Sequence, residues 1–155
     1  MSHMQYQVKT FRAPTVSLIL TLIGAATFGG CATDVKNGTF HPKSQYPPDP
    51  WVKGYSNPDD CLGGEKLAAI EFELPDYPRK AFKSGRQGWV IVKLDVNAQG
   101  FTENVEVDRA LPDYAFPRNA REAVQKWRFE PPSGGPLREC RVLLRYRFGT
   151  VSLGG

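Results

Sequence analysis

Side chains that could carry acid–base or metal chemistry are few in this chain. Both histidines, His3 and His41, precede every segment with the periodicity of a folded domain. A Ser-His-Asp, Cys-His or histidine-rich metal site would therefore lack its histidine within the domain. The other candidates are carboxylates on or near outward-facing strand positions, which are typical of a solvated sheet face: Asp95, Glu103, Glu106 and Asp108. We expect no enzymatic activity, no metal site and no cofactor.

Cysteine offers a different chemistry, and the first of the three cysteines follows an export signal. Lys9 and Arg12 precede an apolar or small run from Ala13 to Gly30, and the run ends at Cys31. Because this pattern is typical of a signal peptide and its end resembles the bacterial lipobox, we predict a signal peptide over residues 1–31 and lipidation of Cys31. An uncleaved transmembrane anchor and a cleaved, unlipidated signal are the alternatives.

The other two cysteines, Cys61 and Cys140, follow that signal and would reach an oxidising compartment. We therefore predict a disulfide between them. It would close a loop of about 80 residues and contribute about 4 kcal/mol to stability in the chain-entropy model. Two free thiols that pack as small hydrophobes are the alternative.

Proline and glycine divide the rest of the chain into segments. Residues 32–66 carry turn and polyproline signals without apolar periodicity, and we predict an extended tether there. Apolar periodicity begins at Leu67. We therefore predict one folded domain over residues 67–150 and a tail over residues 151–155.

Alternating residues predict three strands in this domain. The clearest runs from Gly88 to Val96, and residues 97–100 form a turn into a second strand that begins at Phe101. A third strand is predicted from Arg138 to Phe148. Its inward row would be Cys140, Val142, Leu144, Tyr146 and Phe148.

Helical spacing predicts two helices. The first lies between Asp76 and Gly85, because Pro78 suits a helix start and Gly85 suits a helix end. The second ends before Pro131-Pro132 and carries one apolar stripe, formed by Phe116, Ala120, Ala123, Val124 and Trp127.

The element order helix, strand, strand, helix, strand predicts an α+β fold. A hairpin makes the first two strands antiparallel, and the returning helix brings the third strand beside the first. The prediction is a three-stranded antiparallel sheet of order 2-1-3, with both helices packed on one face. The third strand would then be an edge strand with unpaired backbone groups.

In this order and spacing, a set of residues resembles the C-terminal domain of the TonB family over about residues 74–149. The set comprises Tyr77-Pro78, Ala81, Gly88, Val90, Val92, Asp95-Val96, Gly100, Val105, Val107, Phe116, Ala120, Ala123 and Trp127-Arg128-Phe129-Glu130-Pro131. The family signature within it is Tyr77, Pro78, Gly88, Trp127, Phe129 and Pro131.

The resemblance implies a function in transport across the outer membrane. The family's domain captures the N-terminal segment of a transporter, the TonB box, as an added strand, which is β-augmentation. The edge implied here is the third strand: Arg141, Val142, Leu143, Leu144, Arg145, Tyr146 and Arg147. Because the apolar run lacks the family's histidine and the tether is short, we expect a recognition module and not a complete energy transducer.

The three arginines of that strand have two interpretations. Arg141, Arg145 and Arg147 form an outward row around Leu143. They could protect the edge from aggregation, or they could favour an acidic or polar partner segment.

The leading prediction is therefore a periplasmic binding protein attached to the membrane by a lipid, in the outer membrane or, alternatively, the inner one. A structural or envelope-assembly lipoprotein that keeps this fold without energy transduction is the alternative function. A homodimer remains open. The net charge of +4 is mild, and export argues against a nucleic-acid partner.

Overall fold

The computed structural model describes residues 38–54, 60–62 and 66–154. The predicted signal peptide and Cys31 lie outside the described residues. The elements are β1 (Ala69–Glu71), α1 (Arg79–Lys83), β2 (Gly88–Val96), β3 (Thr102–Leu111), α2 (Pro117–Val124), β4 (Arg128–Phe129), β5 (Leu137–Arg147) and β6 (Thr150–Leu153).

The predicted α+β fold is confirmed. The main sheet is antiparallel, with the order β3-β2-β5-β6. Its first three strands have the predicted order, with the strand from Gly88 to Val96 between its two partners. That strand is almost completely buried because both of its neighbours are long and both of its faces are covered.

Both helices pack on one face of the sheet, as predicted. Ala81 of α1 and Ala120 and Val124 of α2 belong to one core cluster with the inward rows of β2 and β5. Aromatic rings fill its centre. Phe116 and Tyr146 stack with ring centroids 4.2 Å apart, and Tyr77 meets the Tyr146 ring edge-on at 5.6 Å.

The prediction of three strands and a C-terminal tail is wrong, because the chain reverses after β5 and adds β6. Phe148 and Gly149 have positive φ angles of 48° and 81°, which turn the backbone sharply. Phe148 therefore leaves the predicted inward row and is 61% exposed. Residues 150–153 then pair with residues 144–147. Four residues are too few for an alternating pattern that would predict a strand.

The segment predicted as a tether packs on the other face of the sheet over its first described part. Trp89, Ile91 and Leu143 point away from the helices, and Val52 and Tyr46 cover them. Left in water, that apolar patch would cost free energy, so covering it stabilises the domain. We call residues 40–52 the strap.

The Trp-Arg-Phe segment forms a second, two-stranded sheet. β1 and β4 pair antiparallel, and the indole N–H of Trp127 donates to the Glu73 carbonyl at 2.9 Å. Helix α2 ends three residues before Trp127, which the apolar stripe did not show. Gly100 contacts this segment closely, because a Cβ there would lie 2.1 Å from the Phe129 carbonyl oxygen.

Asp95 holds two irregular positions in the neighbouring strands. Its carboxylate accepts from the Glu139 backbone N–H at 2.9 Å and from the Asn104 side chain at 2.8 Å. Glu139 and Asn104 have φ angles of 49° and 51°, in the left-handed region. A predicted member of the solvated face is therefore a structural residue of the sheet.

Two buried tyrosines differ in how their hydroxyl groups are satisfied. The Tyr77 hydroxyl donates to the Arg86 carbonyl, beyond the end of α1. The Tyr146 hydroxyl is buried, and no hydrogen-bond partner for it exists among the described residues. Burial raises the pKa of both phenols, so both stay neutral.

We expect opposite effects when each of these tyrosines is replaced by phenylalanine. Tyr77→Phe removes a hydrogen bond and should lower the free energy of unfolding by about 1 kcal/mol. Tyr146→Phe removes only a desolvated hydroxyl and should leave that energy unchanged or raise it. Urea unfolding of the two variants provides the comparison. A Tyr146→Phe variant less stable than Tyr77→Phe would contradict the expectation.

Candidate partner-binding edge

The strand predicted to bind a partner is β5, and it is not a free edge. β2 pairs with it on one side, and β6 pairs with residues 144–147 on the other. Further along that outer side, the Arg141 N–H donates to the Asp60 carbonyl at 3.1 Å, and the Leu143 carbonyl accepts from the Gly154 N–H at 2.7 Å. The prediction of an unpaired edge is therefore wrong, because other segments of the same chain cover it.

The cover over the outer side of β5 is slight. β6 has four residues, of which Thr150 and Ser152 are exposed and Val151 and Leu153 are half-buried. By comparison, β2 pairs with β5 from Leu137 to Tyr146 and buries nearly its whole length. Strands with few buried contacts open at the low end of the stability range. β6 is therefore the strand of the main sheet that is easiest to displace.

The three arginines of β5 contact other parts of this chain. The Arg141 Nε atom lies 3.1 Å from the Asp108 carboxylate on β3. The Arg145 guanidinium lies 2.9 Å from the Asp49 carboxylate of the strap. The prediction of an outward row available to a partner is thus wrong for these two, since their side chains are 13% and 18% exposed.

Arg147 is held differently, by aromatic rings. Its guanidinium carbon lies 4.5 Å from the centre of the Tyr46 ring and 5.9 Å from that of Phe148. This is cation–π geometry. All three arginines therefore connect β5 to distant segments of the chain, which explains their presence without a partner.

The electrostatics of the strap favour its attachment at neutral pH. Burial alone would raise the pKa of Asp49, but hydrogen bonds from Arg145 and Tyr46, with the charges of Arg145 and Arg147, hold that pKa below its ordinary value. Burial and the Asp49 hydrogen bond raise the pKa of Tyr46, so its hydroxyl remains a donor. Because the pKa of Asp49 is lowered on folding, its contribution is present above the ordinary carboxyl range and lost in acid.

The family signature residues build the domain and do not line the outer side of β5. Tyr77, Trp127 and Phe129 are buried in the core, and Gly88 pairs with Tyr146. Their spacing allowed prediction of the fold, whereas the contacts of β5 depend on residues that lie far apart in sequence.

Cys61 and Cys140 are joined by a disulfide in the structure. Both are buried in the core cluster on the helix side of the sheet. Cys61 reaches that side because Asp60 runs beside β5 and bonds to Arg141. The cross-link thus lies directly beneath the candidate edge.

The described part of the chain has neither a metal-ligand cluster nor a helix able to span a membrane. It contains no group of three histidine, cysteine, aspartate or glutamate side chains placed to hold a metal. Within the same residues, no helix has both the length and the apolar character needed to cross a bilayer.

The described domain belongs to the class of small α+β domains, with an antiparallel sheet, two helices and a short, partly exposed outermost strand. The sequence comparisons define the class further. Residues 73–150 match the family of the Gram-negative bacterial TonB protein C-terminal, and this chain belongs to that family. Domains of that family are protein-interaction modules of non-enzymatic energy transducers. This agrees with the prediction that the domain is not an enzyme.

Individual relatives match the same region. Protein TonB of Pseudomonas aeruginosa is 33% identical over 81 residues, which are 52% of this chain and 24% of that protein. Protein TonB of Salmonella typhimurium is 37% identical over 85 residues, 55% of this chain and 35% of that protein. The chain thus spans about a quarter to a third of the length of these relatives. The solution NMR structure of the Pseudomonas aeruginosa TonB CTD matches with 29% identity and a TM-score of 0.47, covering 63% of this chain and 95% of that one.

Proposed function

We propose that this protein is a periplasmic TonB-like module that binds the N-terminal segment of an outer-membrane transporter by strand addition at β5. The single observation that carries the proposal is the shortness of the strand that covers β5: among the described residues, β6 contributes four, with backbone contacts from Asp60 and Gly154 beside it. An incoming strand could replace them and gain a longer ladder. Backbone hydrogen bonds would supply most of its affinity.

The proposal includes the location of the module. A lipid on Cys31 would attach the protein to a membrane, and Ala32 does not have the acidic side chain that commonly retains lipoproteins in the inner membrane. The outer membrane is then the proposed site of attachment, where the transporters reside. Mass spectrometry of the membrane-extracted protein tests this, since a mature chain that begins at Met1 would exclude lipidation.

The alternative function is a structural or envelope-assembly lipoprotein with no transporter partner. The observation that favours it concerns the same edge. Other parts of this chain, namely β6, Asp60 and Gly154, already form hydrogen bonds with the backbone of β5. The experiment must therefore distinguish a replaceable cover from a permanent one.

Peptide titration of the full-length protein distinguishes the two functions. We expect N-terminal peptides of outer-membrane transporters to bind, and to bind more tightly to a variant that ends at Gly149 and so lacks β6. Scrambled peptides of the same composition are the control. Charge reversal of the arginines is a poor test, because it also breaks the contacts to Asp49 and Asp108.

Hydrogen exchange locates the bound peptide. Binding at β5 should protect the backbone N–H groups of Arg145 and Arg147, which lie in the part of β5 that β6 covers, in the variant that ends at Gly149. Protection along the outer side of β3 instead would refute the proposed edge. If neither chain binds any transporter peptide, the alternative function is favoured.

A further inference from the structure

We infer that the strap, residues 40–52, holds β6 on β5 and so controls access to the candidate edge. In the structure, the strap lies close to both ends of the β5–β6 hairpin. Its release would leave β6 attached by its own short ladder and by the packing of Val151 and Leu153 on the core. The effect on a bound partner rests on the proposed function, whereas the coupling of strap and β6 does not.

The first connection is made by Arg145, whose guanidinium binds the strap and β6 together. Its Nε atom donates to the Asp49 carboxylate at 3.0 Å, and its Nη1 atom donates to the Leu153 carbonyl at 3.1 Å. Because the guanidinium is planar and rigid, fixing one side of it also fixes the other. Asp49 therefore orients the group that holds the last residue of β6.

The second connection is made by Gln87, at the other end of the hairpin. This side chain is buried, at 5% exposure. Its amide nitrogen donates to the Ser44 carbonyl at 2.7 Å, while its amide oxygen accepts from the Phe148 N–H at 3.1 Å. Since a buried amide must keep its partners, displacement of Ser44 would disturb the turn that begins β6.

Packing adds a third connection at the same turn. Phe40 of the strap lies so close to Gly149 that a Cβ on this glycine would approach the Phe40 Cβ to 2.9 Å. Phe40 also packs edge-on against Tyr77 and Phe82, with centroids 5.5 and 5.3 Å apart. Tyr46 lies under the Arg147 guanidinium. The turn between β5 and β6 thus rests on strap residues.

The strap is itself attached to the body of the domain at points outside β6. Its Lys43 N–H donates to the Gly85 carbonyl at 2.9 Å, and the Trp89 indole donates to the Pro48 carbonyl at 3.0 Å. Gly85 permits this approach, because a Cβ there would lie 2.1 Å from the His41 carbonyl oxygen. The strap can therefore transmit stability from the sheet to the hairpin.

Hydrogen exchange of the full-length protein without any partner tests the coupling. Asp49→Ala changes neither β5 nor β6, yet it should speed exchange of the backbone N–H groups of residues 150–154 by about fivefold, the size of one lost hydrogen bond. Ser44→Ala keeps the carbonyl that the Gln87 amide contacts, but it removes the Oγ atom that accepts from the Gln87 backbone N–H at 3.0 Å. It should therefore loosen the strap at Gln87 and speed the same exchange. The matched control is Asp108→Ala, which also removes a carboxylate from a β5 arginine but contacts neither strap nor β6. It should leave that exchange unchanged.

The outcomes separate this inference from the proposed function. If exchange of residues 150–154 is unchanged in both Asp49→Ala and Ser44→Ala, the coupling is refuted, whether or not transporter peptides bind. An equal increase in Asp108→Ala would also refute it, because the effect would then be general loosening. Faster exchange without any peptide binding would retain the coupling and refute the partner. Faster exchange together with tighter peptide binding supports both.

Discussion

Trp127→Ala is expected to lower the free energy of unfolding by about 3–5 kcal/mol, the usual cost of truncating a buried large aromatic side chain. Trp127 is 2% exposed and packs edge-on against Phe72 and Phe129. Its indole N–H also bonds to the Glu73 carbonyl, so the variant loses this hydrogen bond between Trp127 and the segment that follows β1.

The control for this prediction is another tryptophan of the same chain. Trp51 is 76% exposed, and Trp51→Ala should change stability by no more than about 0.5 kcal/mol. Chemical unfolding followed by circular dichroism measures both variants, because fluorescence would change with the tryptophan itself. Similar losses for the two substitutions would contradict the expectation that burial of Trp127 stabilises the domain.

Removing the Cys61–Cys140 disulfide is expected to have an effect of similar size. The bond joins residues separated by 79 positions, and in the chain-entropy model a loop of that length contributes about 4 kcal/mol. Both sulfur atoms lie in the core, so the paired substitution to alanine also leaves a small void. The variant should therefore be less resistant to heat and protease.

A reducing agent separates the cross-link from the void. It should lower the unfolding midpoint of the wild-type protein and leave that of Cys61→Ala/Cys140→Ala unchanged. Non-reducing peptide mapping of protein isolated from cells establishes whether the bond forms in vivo. Recovery of both cysteines as free thiols from freshly isolated protein would contradict the prediction.

The parts of the fold that the sequence predicted well are those that alternate over many residues. Gly88–Val96 has nine residues of strand pattern, and its strict alternation identified both the central strand and its inward row. The stripe from Phe116 to Trp127 similarly predicted α2 and its buried face. In both cases a pattern repeated over many residues predicts which side chains are buried.

The parts that were missed have short patterns or depend on distant residues. β6 has only four residues and follows the turn at Phe148-Gly149. Glycine suits such a turn, but phenylalanine rarely adopts a positive φ, so the turn signal was weak. The strap is held by single contacts, such as Asp49 with Arg145, which lie 96 positions apart. The sequence does not reveal such distant contacts, so the proline-rich composition predicted only a tether.

The disulfide also determines how the domain carries tension. A covalent path runs from Cys61 through two sulfur atoms to Cys140, from which β5 continues to Arg147. If one end of a pull acts on the chain before Cys61 and the other on a segment held along β5, the stretched backbone omits residues 62–139. The two helices and strands β2 and β3 are then outside the covalent load path. The strap lies before Cys61 and is held by noncovalent contacts, so such a pull loads those contacts, whereas the cross-link bypasses the sheet residues between the two cysteines.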